Sequence, residues 1–256
     1  MTSLSTALKT RIKDTSAEPV LRWLAKRSRG IHMPFDLVKN EIYDRQAGDV
    51  MSRVLRPESN CVDVGCHEGQ YIREFLRYAP LGQHVAFEPI PALAASLRRR
   101  FSSVRVVEAA ASDRTGEASF FVVPAAPARS GLQRREFISQ DGARQEIRVR
   151  TERLDASLPA GSKVDFIKID VEGAEGLVLA GAAATIVRDR PYIVFEHGRR
   201  SSLAFGVTSA QIYETLVDRC GLRLSRLTDW LNCRAPLTQA AFVSSQEWYF
   251  LAHPPR

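Results

Sequence analysis

Hydrophobic and polar positions follow two alternating periods along most of the chain. Short apolar runs rich in valine and isoleucine alternate with longer stretches in which apolar residues recur every three or four positions. The first pattern predicts buried strands and the second predicts amphipathic helices. Their alternation predicts an α/β fold, with a mostly parallel sheet and helices on both faces. The predicted strands are Val62–Val64, His84–Glu88, Val104–Ala109, Val164–Asp170 and Tyr192–Glu196, and the predicted helices between and after them are Tyr71–Tyr78, Ala92–Phe101, Gly173–Val187 and Ser209–Cys220.

Three regions depart from this simple alternation. Residues Phe35–Leu55 predict a helix before the first strand. Between the third and fourth strands, Ala118–Val123 and Ile147–Leu154 predict β segments around an irregular stretch. Near the end, Leu222–Leu227 and Trp248–Ala252 have the apolar character of a closing antiparallel pair of strands. The chain therefore predicts a single main sheet with one insertion.

The composition is that of a globular protein with a full core. Of 256 residues, 45% are hydrophobic and 25% are charged. No apolar run reaches the ~18 residues of a membrane span, and the first residues lack the apolar segment of an export signal. The four cysteines form no C-x-x-C pair. We therefore expect a cytoplasmic protein with reduced thiols and no metal site built from cysteine.

The net charge of +7 is concentrated near the amino terminus. We expect residues 1–34 to be a basic lead, partly helical or disordered, and residues 35–256 to be the functional domain. The lead is either a solvated segment or a weak contact for an anionic membrane surface. Nucleic acid is not an expected partner, because no platform of interleaved aromatic and basic residues is evident.

The sequence CVDVGCHEG at the first strand is the strongest candidate for cofactor binding. A strand, a tight turn and a helix start form the unit that holds nucleotide-like cofactors in α/β proteins. A dinucleotide fingerprint needs glycines where His67 and Gln70 stand. The spacing of Asp63, Gly65 and Gly69 instead fits a loop that binds S-adenosylmethionine (SAM). The glycines allow positive φ, and the N–H groups at the helix start attract a carboxylate.

Acidic residues follow nearly every predicted strand, at the edge where ligands bind in such folds. Glu88 is placed to accept hydrogen bonds from the two hydroxyls of a ribose. Asp113, with Ser112 before it, is placed to meet an adenine amino group. An ordinary turn explains Asp113 almost equally well.

The segment FIKIDVEGAE is the second strong signal. By strand alternation, Lys168 and Asp170 point to the same side, and Glu172 continues toward the helix start. Buried charges need a reason. Two interpretations stay open here: a structural ion pair, and a polar pocket beside the reacting methyl group.

Glu196 and His197 end the fifth strand and are candidate bases. A surface histidine without a catalytic role is the alternative for His197. Together with Asp170 they could also ligate a divalent metal ion, but the residues form no tight ligand motif, and a metal is not favoured.

These motifs resemble the FkbM family of SAM-dependent methyltransferases. The matching segments are VDVGCHEGQY, AFEPIPALAASLRRRF, VVEAAASDRTGEASFFV, VDFIKIDVEGAEGLVLAGA, RPYIVFEHG and WYFLAHP. The resemblance implies a Rossmann-like seven-stranded methyltransferase fold whose last strand is antiparallel. It implies SAM held by the loop from Asp63 to Gly69, by Glu88 on the ribose and by Ser112 and Asp113 on the adenine, with the acceptor near Asp170 and Glu172. His67 departs from the asparagine that is frequent in the family.

The resemblance implies O-methylation of a hydroxyl on a sugar, a glycolipid or a natural product. Asp170 is expected near the methyl group, with His197 or Glu196 as base. The arginine-rich stretch Arg129–Arg153 is either a lid that selects the acceptor or a solvated insertion. Two other functions stay open at this point: a nicotinamide-dependent oxidoreductase on a similar fold, and an RNA-modifying methyltransferase.

Overall fold

The structure, a computed structural model, describes residues 35–133, 144–159 and 161–255, with backbone alone for residues 35–38. The predicted basic lead, residues 1–34, lies outside the described residues. So does part of the predicted lid, residues 134–143. The described part of the domain contains the predicted alternation of strands and helices.

The strands are β1 Cys61–Val64, β2 Val85–Phe87, β3 Arg105–Val107, β4 Ala110–Ala111, β5 Gly116–Val122, β6 Gln145–Glu152, β7 Phe166–Ile169, β8 Tyr192–Glu196, β9 Arg223–Arg226 and β10 Tyr249–His253. The α-helices are α1 Phe35–Val54, α2 Gln70–Tyr78, α3 Pro91–Arg100, α4 Leu154–Ser157, α5 Glu175–Gly181, α6 Ala183–Asp189, α7 Arg199–Leu203, α8 Ser209–Tyr213, α9 Leu227–Leu231 and α10 Gln239–Val243. A 3₁₀ turn covers Pro127–Arg129, and a π-helical turn covers Glu214–Arg219.

Seven strands form the main sheet, in the order β3-β2-β1-β7-β8-β10-β9. Neighbouring strands from β3 to β8 are parallel, and β10 runs antiparallel to both β8 and β9. The predicted fold is therefore confirmed, including the antiparallel last strand. Strand order reverses between β1 and β7, and ligands of such sheets bind beyond the carboxyl ends of the strands at that reversal.

Apolar side chains fill both faces of this sheet. In β1 and β7, Val62 and Ile167 belong to one buried cluster, whereas Cys61 and Phe166 belong to a second cluster on the opposite face. Because successive side chains of a strand alternate in direction, the next residues on the second face are polar ones. The register places Asp63 opposite Lys168. Two charged side chains thus enter the sheet at its core.

The insertion between β3 and β7 forms a second sheet of its own. It has the order β4-β6-β5, with β5 and β6 antiparallel and β4 parallel to β6. After β5, the chain turns back through Pro127–Arg129, and Ser130 Oγ accepts a hydrogen bond from the Val123 N–H at 3.0 Å. Residues 123–132, called the strap below, form one wall of the cleft described in the next subsection.

Two predicted helices differ from the structure. The predicted helix Gly173–Val187 is broken into α5 and α6 at Ala182, where Gly181 packs so closely on Ser112 that a Cβ would lie 1.9 Å from the Ser112 carbonyl oxygen. The predicted helix after Ser209 passes from α8 into a π turn. Among the described helices, none has both the length and the apolar character needed to span a bilayer.

Candidate active site

A tight loop follows β1 and approaches the end of β7. Gly65 has φ of 80°, and its N–H donates to the Phe87 carbonyl at 3.2 Å. A Cβ at this position would lie 1.9 Å from the Asp170 carbonyl oxygen, so only glycine fits. Gly69 caps α2 with φ of 76°. The backbone therefore takes the shape that brings a loop close to a ligand.

Glu88, directly after β2, holds this loop in place. Its two carboxylate oxygens accept hydrogen bonds from the His67 N–H and the Ile90 N–H, each at 2.9 Å. Burial raises the pKa of the Glu88 carboxyl to about 7, against the effect of these two donors. Each oxygen keeps a second lone pair, so the carboxylate can still accept bonds from a diol at the cleft.

Asp63 contrasts with Glu88. Its side chain is 1% exposed, and neither oxygen has a hydrogen-bond partner among the residues that the structure describes. Burial raises the pKa of the Asp63 carboxyl to about 6, although the nearby Lys168 ammonium favours the ionised form. A buried carboxylate without donors is unfavourable. The arrangement fits a group that brings N–H donors to this point.

Asp170, after β7, is the centre of a polar network. Lys168 Nζ lies 3.3 Å from Asp170 Oδ2, and the Tyr249 hydroxyl donates to the same oxygen at 2.6 Å. Burial opposes ionisation of Asp170, but Lys168, a hydrogen bond with Glu196 and the Tyr249 bond together lower its pKa to about 2. The Glu196 pKa is raised well above its usual range, by burial and by Asp170. Glu196 therefore holds the proton that the two carboxyls share, and Asp170 is the anion.

Glu172 and Glu175 extend the acidic group toward α5. Glu172 lines the cleft with φ of 60°. Glu175 Oε1 accepts from the Val171 N–H at 3.3 Å and from the Gly173 N–H at 3.0 Å, while Oε2 has no hydrogen-bond partner in the described ranges. Burial raises the pKa of Glu175 to about 7 despite these backbone donors. Together with Asp170, they make this end of the cleft acidic.

The cleft itself has a volume of about 540 Å³, including the open space at its mouth. On one side it is lined by Gly65, His67 and Glu88, and at its acidic end by Asp170 and Glu172. The remaining walls are mostly apolar and come from Ile90, from Ala109 with strand β4, from Phe120 of β5 and from the strap. A cleft with one polar side and apolar walls suits a ligand that carries both a flat ring and charged groups.

Several predicted residues meet at this cleft, and others do not. Gly65, His67, Glu88, Asp170 and Glu172 line it. Asp63, Gly69 and Glu196 support the lining residues from behind or from the loop.

Ser112 and Asp113 lie outside the lining. Ser112 is buried and donates to Asp113 Oδ1 at 3.1 Å, while the Asp113 side chain is exposed. The structure therefore places the predicted adenine contacts beside the cleft, and their role stays a prediction.

His197 is fixed on the opposite face of the sheet. Its Nε2 lies 2.8 Å from Ser209 Oγ, and its Nδ1 lies 3.1 Å from Ser202 Oγ. The ring stacks on Phe242 at 5.2 Å, and burial lowers the pKa of the imidazole to about 4. Both nitrogens are thus engaged away from the cleft, and the structure does not bring His197 to the other site residues.

The structure adds residues that the sequence analysis did not assign to the site. Tyr249 reaches Asp170 from β10, and the Tyr71 ring lies 5.0 Å from Lys168 Nζ. The Tyr71 hydroxyl donates to Asp44 at 3.1 Å, and Gln70 donates to the same carboxylate at 2.9 Å. Tyr71 lies two residues after Gly69 of the predicted loop, so the motif itself could have indicated it. Tyr249 and Asp44 carry no local signal, because their contacts depend on sheet order.

The residues present fit SAM. A Gly65 loop with no space for a side chain and the Glu88 carboxylate line one cleft with apolar walls. The two buried oxygens of Asp63, which have no hydrogen-bond partner in the described residues, lie behind this loop, next to Val64 and Gly65 of the lining. In the described ranges, no group of three or more His, Cys, Asp or Glu side chains is arranged to hold a metal ion.

Comparison with known proteins identifies the family. The profile of the methyltransferase FkbM domain matches residues 63–224, more than half of the chain. The 2-O-methyltransferase NoeI of Sinorhizobium fredii is 30% identical over 161 residues, which cover 55% of this chain and 64% of that protein. The AMB antimetabolite synthetase AmbE of Pseudomonas aeruginosa is 26% identical over 267 residues, covering 86% of this chain and 12% of that protein.

The chain thus spans less than two thirds of the length of these curated relatives. Among solved structures, the methyltransferase FkbM of Methylobacillus flagellatus aligns with 16% identity and a TM-score of 0.49, covering 80% of this chain and 50% of that one. The matched profile leaves no support for the nicotinamide alternative. The chain belongs to the FkbM methyltransferase family, and its domain is that of a SAM-dependent methyltransferase.

Proposed function

We propose that the protein transfers the methyl group of SAM to a hydroxyl of a neutral small molecule, a sugar or a lipid-linked glycan. The observation that carries the cofactor assignment is Asp63. A carboxylate 1% exposed, with both oxygens unpartnered in the described part of the chain, lies at the end of β1 beside the Gly65 loop. An ammonium group supplies the donors that such a carboxylate lacks.

The other cofactor contacts follow from the shape of the cleft. Glu88 would accept the ribose hydroxyls with the lone pairs that the His67 and Ile90 N–H groups leave free. Ile90, Ala109 and strand β4 offer an apolar slot for the adenine ring. Ser112 and Asp113 would act on that ring only indirectly, through the position of β4.

The acceptor would lie at the acidic end, near Asp170 and Glu172. Bound SAM supplies an electrophilic methyl group on a good leaving group, so the protein chiefly has to align a hydroxyl and receive its proton. Asp170 is the candidate proton acceptor, because it is ionised and lines the cleft. Glu196, which holds the shared proton, leaves the pair with a single negative charge before transfer, and the proton of the acceptor hydroxyl neutralises the pair when Asp170 receives it. The proposal does not include His197, because serine hydroxyls lie within hydrogen-bond distance of both of its ring nitrogens.

The class of acceptor is supported by two independent observations. The acidic end of the cleft disfavours anionic acceptors, since like charges repel in a partly buried site. NoeI, by its name, is a 2-O-methyltransferase, which supports a hydroxyl as the group methylated.

Calorimetry with SAM, followed by transfer of a radiolabelled methyl group, tests the proposal. We expect SAM to bind, NAD not to bind, and label to appear on neutral polyhydroxylated acceptors in preference to carboxylated or phosphorylated ones. NAD binding without SAM binding would overturn the cofactor assignment. Label on RNA in preference to every small acceptor would overturn the acceptor class. Asp170→Asn should lower turnover far more than SAM affinity.

A further inference from the structure

One buried lysine stands between the carboxylates of two neighbouring strands. Lys168 Nζ lies 3.3 Å from Asp170 Oδ2 and 4.0 Å from Asp63 Oδ1. Its side chain is 6% exposed, and the ammonium also lies 5.0 Å from the centre of the Tyr71 ring. The register that pairs Asp63 with Lys168 fixes this placement. One cation therefore lies between the carboxylate proposed for the cofactor and the carboxylate proposed for the acceptor.

The two contacts of the lysine differ in kind. The contact with Asp170 is at ion-pair distance, whereas the separation from Asp63 is too long for a hydrogen bond. Lys168 thus lowers the cost of a negative charge on Asp63 while both oxygens stay free of donors. A lysine serving only to neutralise Asp170 would not need to face a second, unpartnered carboxylate.

We propose that Lys168 is a positioning residue that keeps two carboxylates ionised at once, Asp63 for the ammonium of the cofactor and Asp170 for the proton of the acceptor. This inference rests on the proposed function.

Other groups around Asp63 do not supply a second cation. Apart from Lys168, the titratable side chains that act on Asp63 or on its lysine are acids, thiols and phenols in the described ranges. They are Asp44 on α1, Cys61 on β1, Cys66 in the loop, Tyr71 on α2, Glu88 after β2 and Asp170 after β7. Tyr249 and Glu196 reach the same group through Asp170. Loss of Lys168 would therefore raise the pKa of Asp63 further.

Proton release on SAM binding tests this role. Asp63 must be ionised to accept an ammonium, so a protonated Asp63 must lose its proton when the cofactor binds. Calorimetry in buffers of different ionisation enthalpy measures that release directly, without turnover. At pH 7.5 we expect near-zero release from the wild type and close to one proton from Lys168→Met. The affinity of this variant should fall about tenfold for each unit by which the Asp63 pKa exceeds the pH.

Three variants separate charge from packing. Lys168→Arg keeps the cation and should stay within a few-fold of wild-type affinity, with near-zero proton release at pH 7.5. Lys163→Met removes an exposed lysine paired with Asp165 and should change neither quantity. The double variant Lys168→Met, Asp63→Asn should release no proton at pH 7.5, because Asp63 is the group that loses it. In turnover assays, the acidic limb of the kcat profile should move to higher pH in Lys168→Met, since Asp170 loses its cation.

The wild type alone gives a test if Lys168→Met does not fold. Between pH 7.5 and pH 5.5, release on SAM binding should rise from near zero to most of one proton, and Asp63→Asn should abolish that rise. No release at either pH, or a Lys168→Met protein that releases no more protons at pH 7.5 than the wild type, would overturn the role of the lysine. Failure of the wild type to bind SAM at all would instead overturn the proposed function.

Discussion

The carboxylates at the ends of β1 and β2 are both buried and both have a raised pKa, but they differ in their hydrogen bonds. Both oxygens of Glu88 accept hydrogen bonds from backbone N–H groups, one in the loop and one just before α3. Neither oxygen of Asp63 accepts a hydrogen bond from any group in the described part of the chain. Glu88 therefore holds the loop in place, whereas the oxygens of Asp63 have no such structural contact. A buried carboxylate can thus be satisfied by backbone N–H groups on one strand and lack hydrogen-bond donors on the next.

A change at Gly65 should have the largest effect, because it breaks the loop that both carboxylates depend on. In Gly65→Ala, the new Cβ would meet the Asp170 carbonyl oxygen, and positive φ adds a further ~1–2 kcal/mol. We expect unfolding at a markedly lower temperature and no detectable SAM binding. Gly161→Ala is the matched control, since Gly161 has φ of 76° with nothing within 4 Å. Equal melting temperatures for the two variants would contradict the clash.

Glu88→Ala should sharpen the structural half of the comparison. The His67 and Ile90 N–H groups lose their acceptors, and each unsatisfied group costs about 1–3 kcal/mol when buried. We therefore expect lower stability in denaturant titration together with weaker SAM binding. Glu108→Ala is the control, because Glu108 follows β3 but pairs with Arg98 at the surface, where ion pairs contribute about 0–1 kcal/mol. A Glu88 variant as stable as the Glu108 variant would show that Glu88 does not hold the loop.

Asp63→Asn should give the opposite balance. Removing an unpartnered buried charge should leave stability unchanged or raise it, while SAM affinity falls at least about tenfold, the scale of a lost charged hydrogen bond. The pKa of about 6 adds a pH dependence with a definite sign. Because the folded state holds a proton on Asp63 at low pH, the stabilisation of the variant over the wild type should be larger at pH 8 than at pH 5. Thermal melts at both values measure it, and a destabilised variant that binds SAM normally would reverse the assignment.

Glu175 lies between the two cases, and its effect should appear in the pH dependence of stability. One oxygen is satisfied by two N–H groups and the other has no hydrogen-bond partner in the described residues. Its pKa of about 7 is raised above the ordinary value near 4.5, so its contribution to stability is full below pH 4.5 and declines as the pH rises through 7. Relative to Glu175→Gln, the wild type should lose up to about 1.4 kcal/mol per pH unit in that window.

The control for this measurement is Glu117→Gln, an exposed glutamate paired with Arg148. Its stability difference from the wild type should stay flat between pH 5 and pH 8. A flat profile for Glu175→Gln as well would show that the buried carboxyl does not hold a proton near neutral pH.

The fold could be predicted because its strands carry local signals. Apolar runs ending in an acid marked β1, β2, β7 and β8, and the alternation with helices indicated a parallel sheet. The break at Ala182 could not be predicted, since the sequence around it has strong helix formers and the cause is the close approach of Gly181 to Ser112. The approach exists only in the folded chain.

For the candidate site, too, the sequence predicted positions along the strands but not the contacts between them. Asp63, Glu88 and Asp170 follow from strand ends, but whether each carboxylate is satisfied depends on distant partners, such as Tyr249, which is 79 residues from Asp170 in sequence. His197 was predicted as a candidate base because it follows Glu196 in sequence, but the two side chains lie in different places. Successive residues of an extended chain point to opposite faces, so Glu196 meets Asp170 while His197 packs against Phe242.

The strap has a consequence for how such a protein can change its substrate. One wall of the cleft comes from residues 123–132, and a Cβ on Gly131 would lie 3.5 Å from the Glu172 Cβ, in ordinary van der Waals contact. This wall is built on the small sheet, whereas the carboxylates stand on the large one. Replacing the strap, residues 123–132, with the corresponding residues of another family member would therefore change this wall of the cleft and leave the carboxylates of the large sheet in place.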